Sequence, residues 1–105
     1  MITNVYVSYS VRPDAVEEHL RLIGEVFAQL AEEHPDDVEY TVVRLADGVS
    51  FVHLSTASTA DGSNPLTQMS AFRRFGDTAA ARVAVPPVPT AAEVVGSYRP
   101  ARPLL

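Results

Sequence analysis

The chain has 105 residues, of which 47% are hydrophobic, a formal net charge of −5 and no cysteine. That is the size of one domain with enough apolar content for a core. The acidic balance and the lack of a Lys/Arg cluster argue against nucleic acid or an anionic membrane as partner. The missing cysteines exclude disulfides, thiolate catalysis and cysteine-based zinc sites.

Asn4–Val11 is predicted as the first strand, because Val5, Val7, Tyr9 and Val11 alternate with Asn4, Tyr6, Ser8 and Ser10, the period of a pleated strand. The second set is polar but uncharged. It suits a lined cavity or a second packing surface as well as an ordinary half-exposed face. The segment is too short and polar for a leader or a spanning helix, so a cytoplasmic protein with no membrane association is expected. After Pro13, with Asp14 and Glu17 at capping-box spacing, Val16, Leu20, Ile23, Phe27 and Leu30 recur at steps of four and three. They predict the buried face of a helix reaching about His34, which Pro35 ends. The acids of this helix are read as solvated, with Glu17 and Arg21 as an i,i+4 pair.

Val38–Leu45 and Val49–Ser55 are predicted as a hairpin across Ala46-Asp47-Gly48. In its second strand Val52 and Leu54 face one way, and Phe51, His53 and Ser55 the other. A loop, Thr56–Pro65, follows. Asn64 is placed to cap a helix that starts at Pro65-Leu66 and continues through Met69, Phe72 and Phe75 to about Val83, with a break or bend at Gly76-Asp77. Pro86-Pro87-Val88-Pro89 reads as a stiff connector. Ala92–Arg99 is predicted as the last strand, and residues 100–105 as a tail.

The order β-α-β-β-α-β in a single domain, residues 1–105, predicts an α+β ferredoxin-like sandwich. Both helices would lie on one face of an antiparallel four-stranded sheet. With Val52 and Leu54 turned to the helices, Tyr6, Ser8, Phe51 and His53 meet on the opposite face, joined by Thr41 and Val43. Such a face needs a cover, and a second copy of the sheet is the simplest one, so a homodimer is expected.

Several stretches together resemble the dimeric α+β barrel superfamily, and most its antibiotic-biosynthesis-monooxygenase (ABM) branch. They are Asn4-Val5-Tyr6-Val7, the amphipathic helix after Pro13, the Val49–Leu54 strand, Asn64-Pro65-Leu66, Phe72-Arg73-Arg74-Phe75 and Val94-Val95-Gly96-Ser97-Tyr98. The resemblance implies homodimers with a pocket in each protomer between sheet and helices. It also implies activities that range from cofactor-free oxygenation of phenols and quinols, through haem degradation and isomerisation, to none known. The best-known oxygenases and haem degraders of the family rely on an Asn and a Trp. Asn4 matches the former in position, and this chain has no Trp, which argues against haem degradation.

On these grounds the candidate site consists of His53 as general base and of Asn4, Tyr6, Phe51, Phe72, Phe75 and Tyr98 as substrate-binding residues. An imidazole can take a proton from a phenol or enol near neutral pH, and Tyr6 and Asn4 would hydrogen-bond the resulting anion. The plainer alternative for His53 is a hydrogen-bonded histidine in a barrel wall. His19, His34 and His53 lack metal-ligand spacing, and no phosphate loop or nucleophile elbow occurs, so no metal and no cofactor is expected. The expected function is binding of a small aromatic or oxygenated molecule by an ABM-like protein working as a cofactor-independent monooxygenase. The rivals are a non-catalytic homodimer that binds a ligand or partner, and an isomerase or decarboxylase of the same fold.

Overall fold

The computed structural model describes residues 1–98; the predicted tail and the last residue of the predicted closing strand lie outside them. Among the described residues two α-helices and five strands make an α+β domain with an entirely antiparallel sheet. The strands are β1 (Ile2–Val11), β2 (Val38–Arg44), β3 (Ser50–Ser58), β4 (Val83–Val85) and β5 (Thr90–Ala92); the helices are α1 (Val16–Glu33) and α2 (Ser70–Asp77). The order across the sheet is β2-β3-β1-β4, and β5 also pairs with β1. This is the ferredoxin-like arrangement, with β1 and β3 central.

The hairpin forms as its turn chemistry demands. Asp47 Oδ1 accepts from the backbone N–H of Val49 and Ser50 at 3.0 and 2.8 Å, and Gly48 takes the left-handed φ of 80° that a side chain would resist. The closing edge differs from the expectation. The predicted strand Ala92–Arg99 is replaced by two short strands that share β1 as partner: β4 meets Ser10–Val11, and β5 meets Asn4–Tyr6. Pro86, Pro87 and Pro89 lie between them and cannot donate to a ladder, so they divide the edge. Residues 93–98 are not strand. The second helix is likewise divided, into a 3-10 turn at Pro65–Gln68, α2 proper and a second 3-10 turn at Ala79–Ala81. Asn64 Oδ1 caps the first piece by accepting from the N–H of Leu66 at 3.0 Å.

Helix α1 is rotated relative to the expected face. The residues it buries are His19, Leu22 and Val26, continuing Ala15, whereas Leu20 and Phe27 are exposed. Counting His19 as polar hid this set, which has the same spacing one residue out of phase. The expected Glu17–Arg21 pair does not form; Arg21 pairs with Glu18 and Glu25, and Arg74 reaches Glu25 at 2.6 Å. Asp14 pairs with Arg12 at 3.2 Å, and no side-chain cap forms at that helix start.

The core is Tyr9, Val11, Leu22, Val26, Phe51, Ala71 and Phe75. The inward residues of β1 are therefore Val7, Tyr9 and Val11, and their partners on β3 are His53 and Phe51. The phase of β3 is thus opposite to the expected one: Phe51 and His53 face the helices, and Val52 and Leu54 face away with Tyr6 and Ser8. Leu22→Ala should cost about 2–5 kcal/mol in chemical denaturation. Leu20→Ala should change stability by no more than about 0.5 kcal/mol. A larger loss for Leu20→Ala than for Leu22→Ala would place the helix face where the periodicity of the apolar residues alone put it.

Candidate functional site

With β3 phased this way, its inward histidine sits on the floor of an apolar cavity between the sheet and the second helical region. Two neighbouring lobes share Val7, His53, Phe72 and Pro89 as lining residues. The lobe of about 300 Å³ is also lined by Val5, Tyr40, Ser55, Asn64 and Leu66. The other, of about 220 Å³, is bounded by Tyr9, His19, Phe75 and Val83. Pro87 and Pro89 form part of the wall, so the break in the edge strand gives the cavity one of its sides.

A chain of five side chains runs beneath this cavity. Arg82 Nε donates to His19 Nδ1 at 3.0 Å. His19 Nε2 and Tyr9 Oη are 2.6 Å apart, Tyr9 Oη and His53 Nε2 are 2.6 Å apart, and His53 Nδ1 and Tyr40 Oη are 2.6 Å apart. Each member comes from a different segment: β1, α1, β2, β3 and the stretch after α2. The chain is set among aromatic rings. Tyr9 stacks on Phe51 with centroids 5.9 Å apart, and Tyr40 on Phe27 at 5.3 Å. The Arg82 guanidinium lies 5.1 Å from the Phe75 ring centroid. Arg82 also donates to the carbonyl of Phe75 at 2.8 Å and to Thr78 Oγ1 at 2.6 Å.

This environment holds the chain uncharged apart from Arg82. Burial lowers the His53 pKa to about 4. Burial, together with the nearby Arg82 charge and His53, lowers that of His19 to about 4. Burial raises both Tyr9 and Tyr40 well above the ordinary phenol range. The site is therefore neutral imidazoles and neutral phenols at physiological pH.

The sequence-predicted site residues divide into three groups. His53, Phe72 and Phe75 line the cavity. Phe51, 1% exposed, is core beneath Tyr9 and His19 rather than cavity wall. Asn4 and Tyr6 lie on the opposite face of the sheet, along a separate outer hollow with Thr41 and Leu54; Asn4 Oδ1 accepts from Thr56 Oγ1 at 2.7 Å. Tyr98 is 87% exposed and lines neither lobe. The expected neighbours of His53, Tyr6 or Ser8 and Thr41 or Val43, are replaced by Tyr9 and Tyr40, because the strand phase is reversed. The expected base role loses its geometric support: both ring nitrogens of His53 are bonded to tyrosine hydroxyls, and neither is free to meet a substrate proton. Tyr9, His19, Tyr40 and Arg82 were not foreseen as site residues. The signal for His19 was its place in the Ala15-His19-Leu22-Val26 series; Arg82 carried none. Among the described residues no group of three or more His, Asp or Glu side chains could hold a metal ion, and no helix is long and apolar enough to cross a membrane.

Solved structures share this fold. A "putative antibiotic biosynthesis monooxygenase" from Nitrosomonas europaea superposes with a TM-score of 0.73 at 19% identity, covering 90% of each chain. Another so named, from Bacteroides thetaiotaomicron, gives 0.78 at 11% identity over 96% of each chain. Rv0793 from Mycobacterium tuberculosis gives 0.75 at 15% identity over 94% of this chain and 100% of its own. The ferredoxin-like fold expected from the sequence is thereby shown to be shared with these structures. No family model and no curated protein matches the chain.

The two low imidazole pKa values have a consequence for stability. Unfolded histidine titrates near 6.5, so between pH 6.5 and about 4 the unfolded chain binds more protons than the folded one at His19 and His53. Their contribution to stability is complete above that window and falls as pH falls through it. Side-chain NMR should show His19 and His53 still neutral at pH 5, and His53→Gln should flatten the pH dependence of the melting temperature across the window. Titration of His19 or His53 near 6.5 would show that the buried chain does not form.

Proposed function

We propose that the protein binds a small, largely apolar molecule bearing an oxygen, an aromatic one above all, in the cavity between sheet and helices, and oxygenates it without metal or flavin. The single observation that carries this reading is an apolar cavity of ligand size whose polar groups are few and convergent, with the Tyr40 hydroxyl at the end of a buried hydrogen-bond chain. Support of a second kind comes from the neighbours of the same fold that are named as monooxygenases.

In this reaction a phenol and O2 give a quinone and water. One oxygen atom enters the ring, the other leaves as water, and the substrate supplies the electrons. The cavity contributes an apolar surround for the ring and for O2, exclusion of bulk water, and a hydrogen bond from Tyr40 to the substrate oxygen. Phe72 and Pro89 would flank the ring, and Asn64 and Ser55 the polar rim. The same fold acting as a non-catalytic binding protein is the second reading, favoured by the absence of a free acid or base among the lining residues.

We further propose that two copies pair through the outer sheet face. Tyr6, Val43 and Leu54 are 42%, 41% and 47% exposed there, a cluster that a lone sheet would leave in water. Light scattering should give twice the chain mass, and Leu54→Glu should shift it toward one chain; a wild-type mass of one chain at micromolar concentration would remove this part of the reading.

Activity is tested by an oxygen electrode with a panel of naphthols and hydroquinones, in chelator and without flavin. Oxygen uptake matched one-to-one by quinone is expected. Val7→Phe, which adds bulk at a residue lining both lobes, should abolish it while the thermal melt stays cooperative. Ligand binding without oxygen uptake would select the non-catalytic reading.

A further inference from the structure

The chain Arg82–His19–Tyr9–His53–Tyr40 can give every buried proton an acceptor in only one sense, because among the described residues Tyr9 Oη has no partner besides the two histidines. Guanidinium has donors and no acceptor, a hydroxyl has one donor, and a neutral imidazole has one donor and one acceptor. Arg82 Nε must donate, so His19 Nδ1 is the acceptor and its proton sits on Nε2. His19 therefore donates to Tyr9. The single Tyr9 proton goes to His53 Nε2, which puts the His53 proton on Nδ1, donating to Tyr40. The Tyr40 proton is left over. Its hydroxyl has no further acceptor among the described residues, and its ring lines the larger lobe of the cavity. Reversing the chain would require Arg82 to accept, which it cannot do.

A second observation points the same way. Arg82 is only 4% exposed, and among the described residues no carboxylate lies within 4.0 Å of it; the acid in its neighbourhood, Glu18, is bound by Arg21. Its partners are a carbonyl, a hydroxyl, an imidazole and a ring face. A buried cation with no counter-ion raises the potential along everything bonded to it. The cavity walls hold no carboxylate either.

We propose that this chain is a one-way hydrogen-bond relay that makes the cavity select the anionic form of its ligand, a phenolate or enolate. Tyr40 is the residue that touches the oxyanion, and Tyr9, His19, His53 and Arg82 are positioning residues behind it. The inference rests on the reading of the cavity as a small-molecule site. It assigns the substrate class as acidic enols and phenols that ionise before they bind, so the site needs no base of its own. When the anion arrives, every donor in the chain already points toward it, and the partial charges reinforce one another as far as the guanidinium.

The test uses 4-nitrophenol, whose two ionisation states differ in visible absorbance, with the full chain at the free probe's own pKa. The titratable groups facing the site are Tyr9 from β1, His19 from α1, Tyr40 from β2, His53 from β3 and Arg82. Their protonation stays fixed there, because both imidazoles titrate near 4 and both phenols far above. The bound probe should be mostly phenolate, the anion binding at least about tenfold tighter than the phenol, equivalent to about 1.4 kcal/mol. Tyr40→Phe should erase that ratio while the phenol binds within about threefold of wild type, a difference below about 0.7 kcal/mol. Tyr9→Phe, which leaves the Tyr40 hydroxyl in place, should lose most of the ratio as well. A merely structural Tyr9 would alter both affinities together, so the ratio separates the two roles. If Tyr9→Phe does not fold, Tyr40→Phe decides alone. Equal affinity for both forms in wild type overturns the relay and leaves the cavity as a ligand site. A full ratio in folded Tyr9→Phe overturns the relay behind Tyr40. Binding of neither form overturns the small-molecule reading and the relay together.

Discussion

The hydroxyl of Tyr9 is the point on which the interior depends. It lies within 2.6 Å of ring nitrogens from two histidines, one on the helix and one on the neighbouring strand. All three groups are buried. A buried polar group without a partner costs about 1–3 kcal/mol, so each of the three constrains the other two. The aromatic core can close over His19 only if β1 and β3 are in the register that sets Tyr9 beside Phe51 and Val7 beside His53. The polar chain therefore specifies the sheet register more strictly than packing would alone. A slip of one residue would bring Ser8 or Tyr6 inward and take from His19 Nε2 and His53 Nε2 the hydroxyl they share.

The same constraint explains which parts of the fold were legible in the sequence. The Asp47-Gly48 turn, the Asn64 cap and the start of α1 after Pro13 depend on neighbouring residues, and local chemistry was enough to find them. The β-α-β-β-α-β order followed from the spacing of these signals. The phase of β3 did not, because its two faces are nearly equal in apolar content: Phe51, His53 and Ser55 against Val52 and Leu54. Alternation shows that there are two faces, and only the partner strand shows which one is inward. The α1 face failed for a related reason. Val16, Leu20, Ile23, Phe27 and Leu30 make a better apolar stripe than Ala15, His19, Leu22 and Val26, yet the second set is buried. A histidine whose two nitrogens are both satisfied behaves as a core residue, and hydropathy cannot foresee the satisfaction.

The candidate site was legible at His53, Phe72 and Phe75 and illegible at the members that give it its character. Tyr9 and Tyr40 look like ordinary strand tyrosines. Arg82 follows a run of alanines and gives no sign that it turns inward. What joins them is tertiary: five segments far apart in sequence supply one group each. Asn4, Tyr6 and Tyr98 were chosen for residue type, and the sheet sets the first two on its far face while the third stands in solvent.

The proline-divided edge connects the architecture to the chemistry. A continuous fifth strand would have laid a ladder along the whole of β1 and closed the side of the cavity with backbone. Pro86, Pro87 and Pro89 prevent that by removing donors, and Pro87 and Pro89 stand instead as apolar wall. The cavity therefore has a rigid wall without backbone N–H groups where the prolines sit. In the proposed relay the hydrogen-bond donor at the floor of the larger lobe is Tyr40, behind which lies the one arrangement that gives every buried proton an acceptor. Apolar walls and a polarised floor are complementary requirements. In the proposed reading of the cavity as a ligand site, the walls would keep water from the Tyr40 hydroxyl and from screening the guanidinium, and the floor would distinguish an oxygenated ring from a plain hydrocarbon.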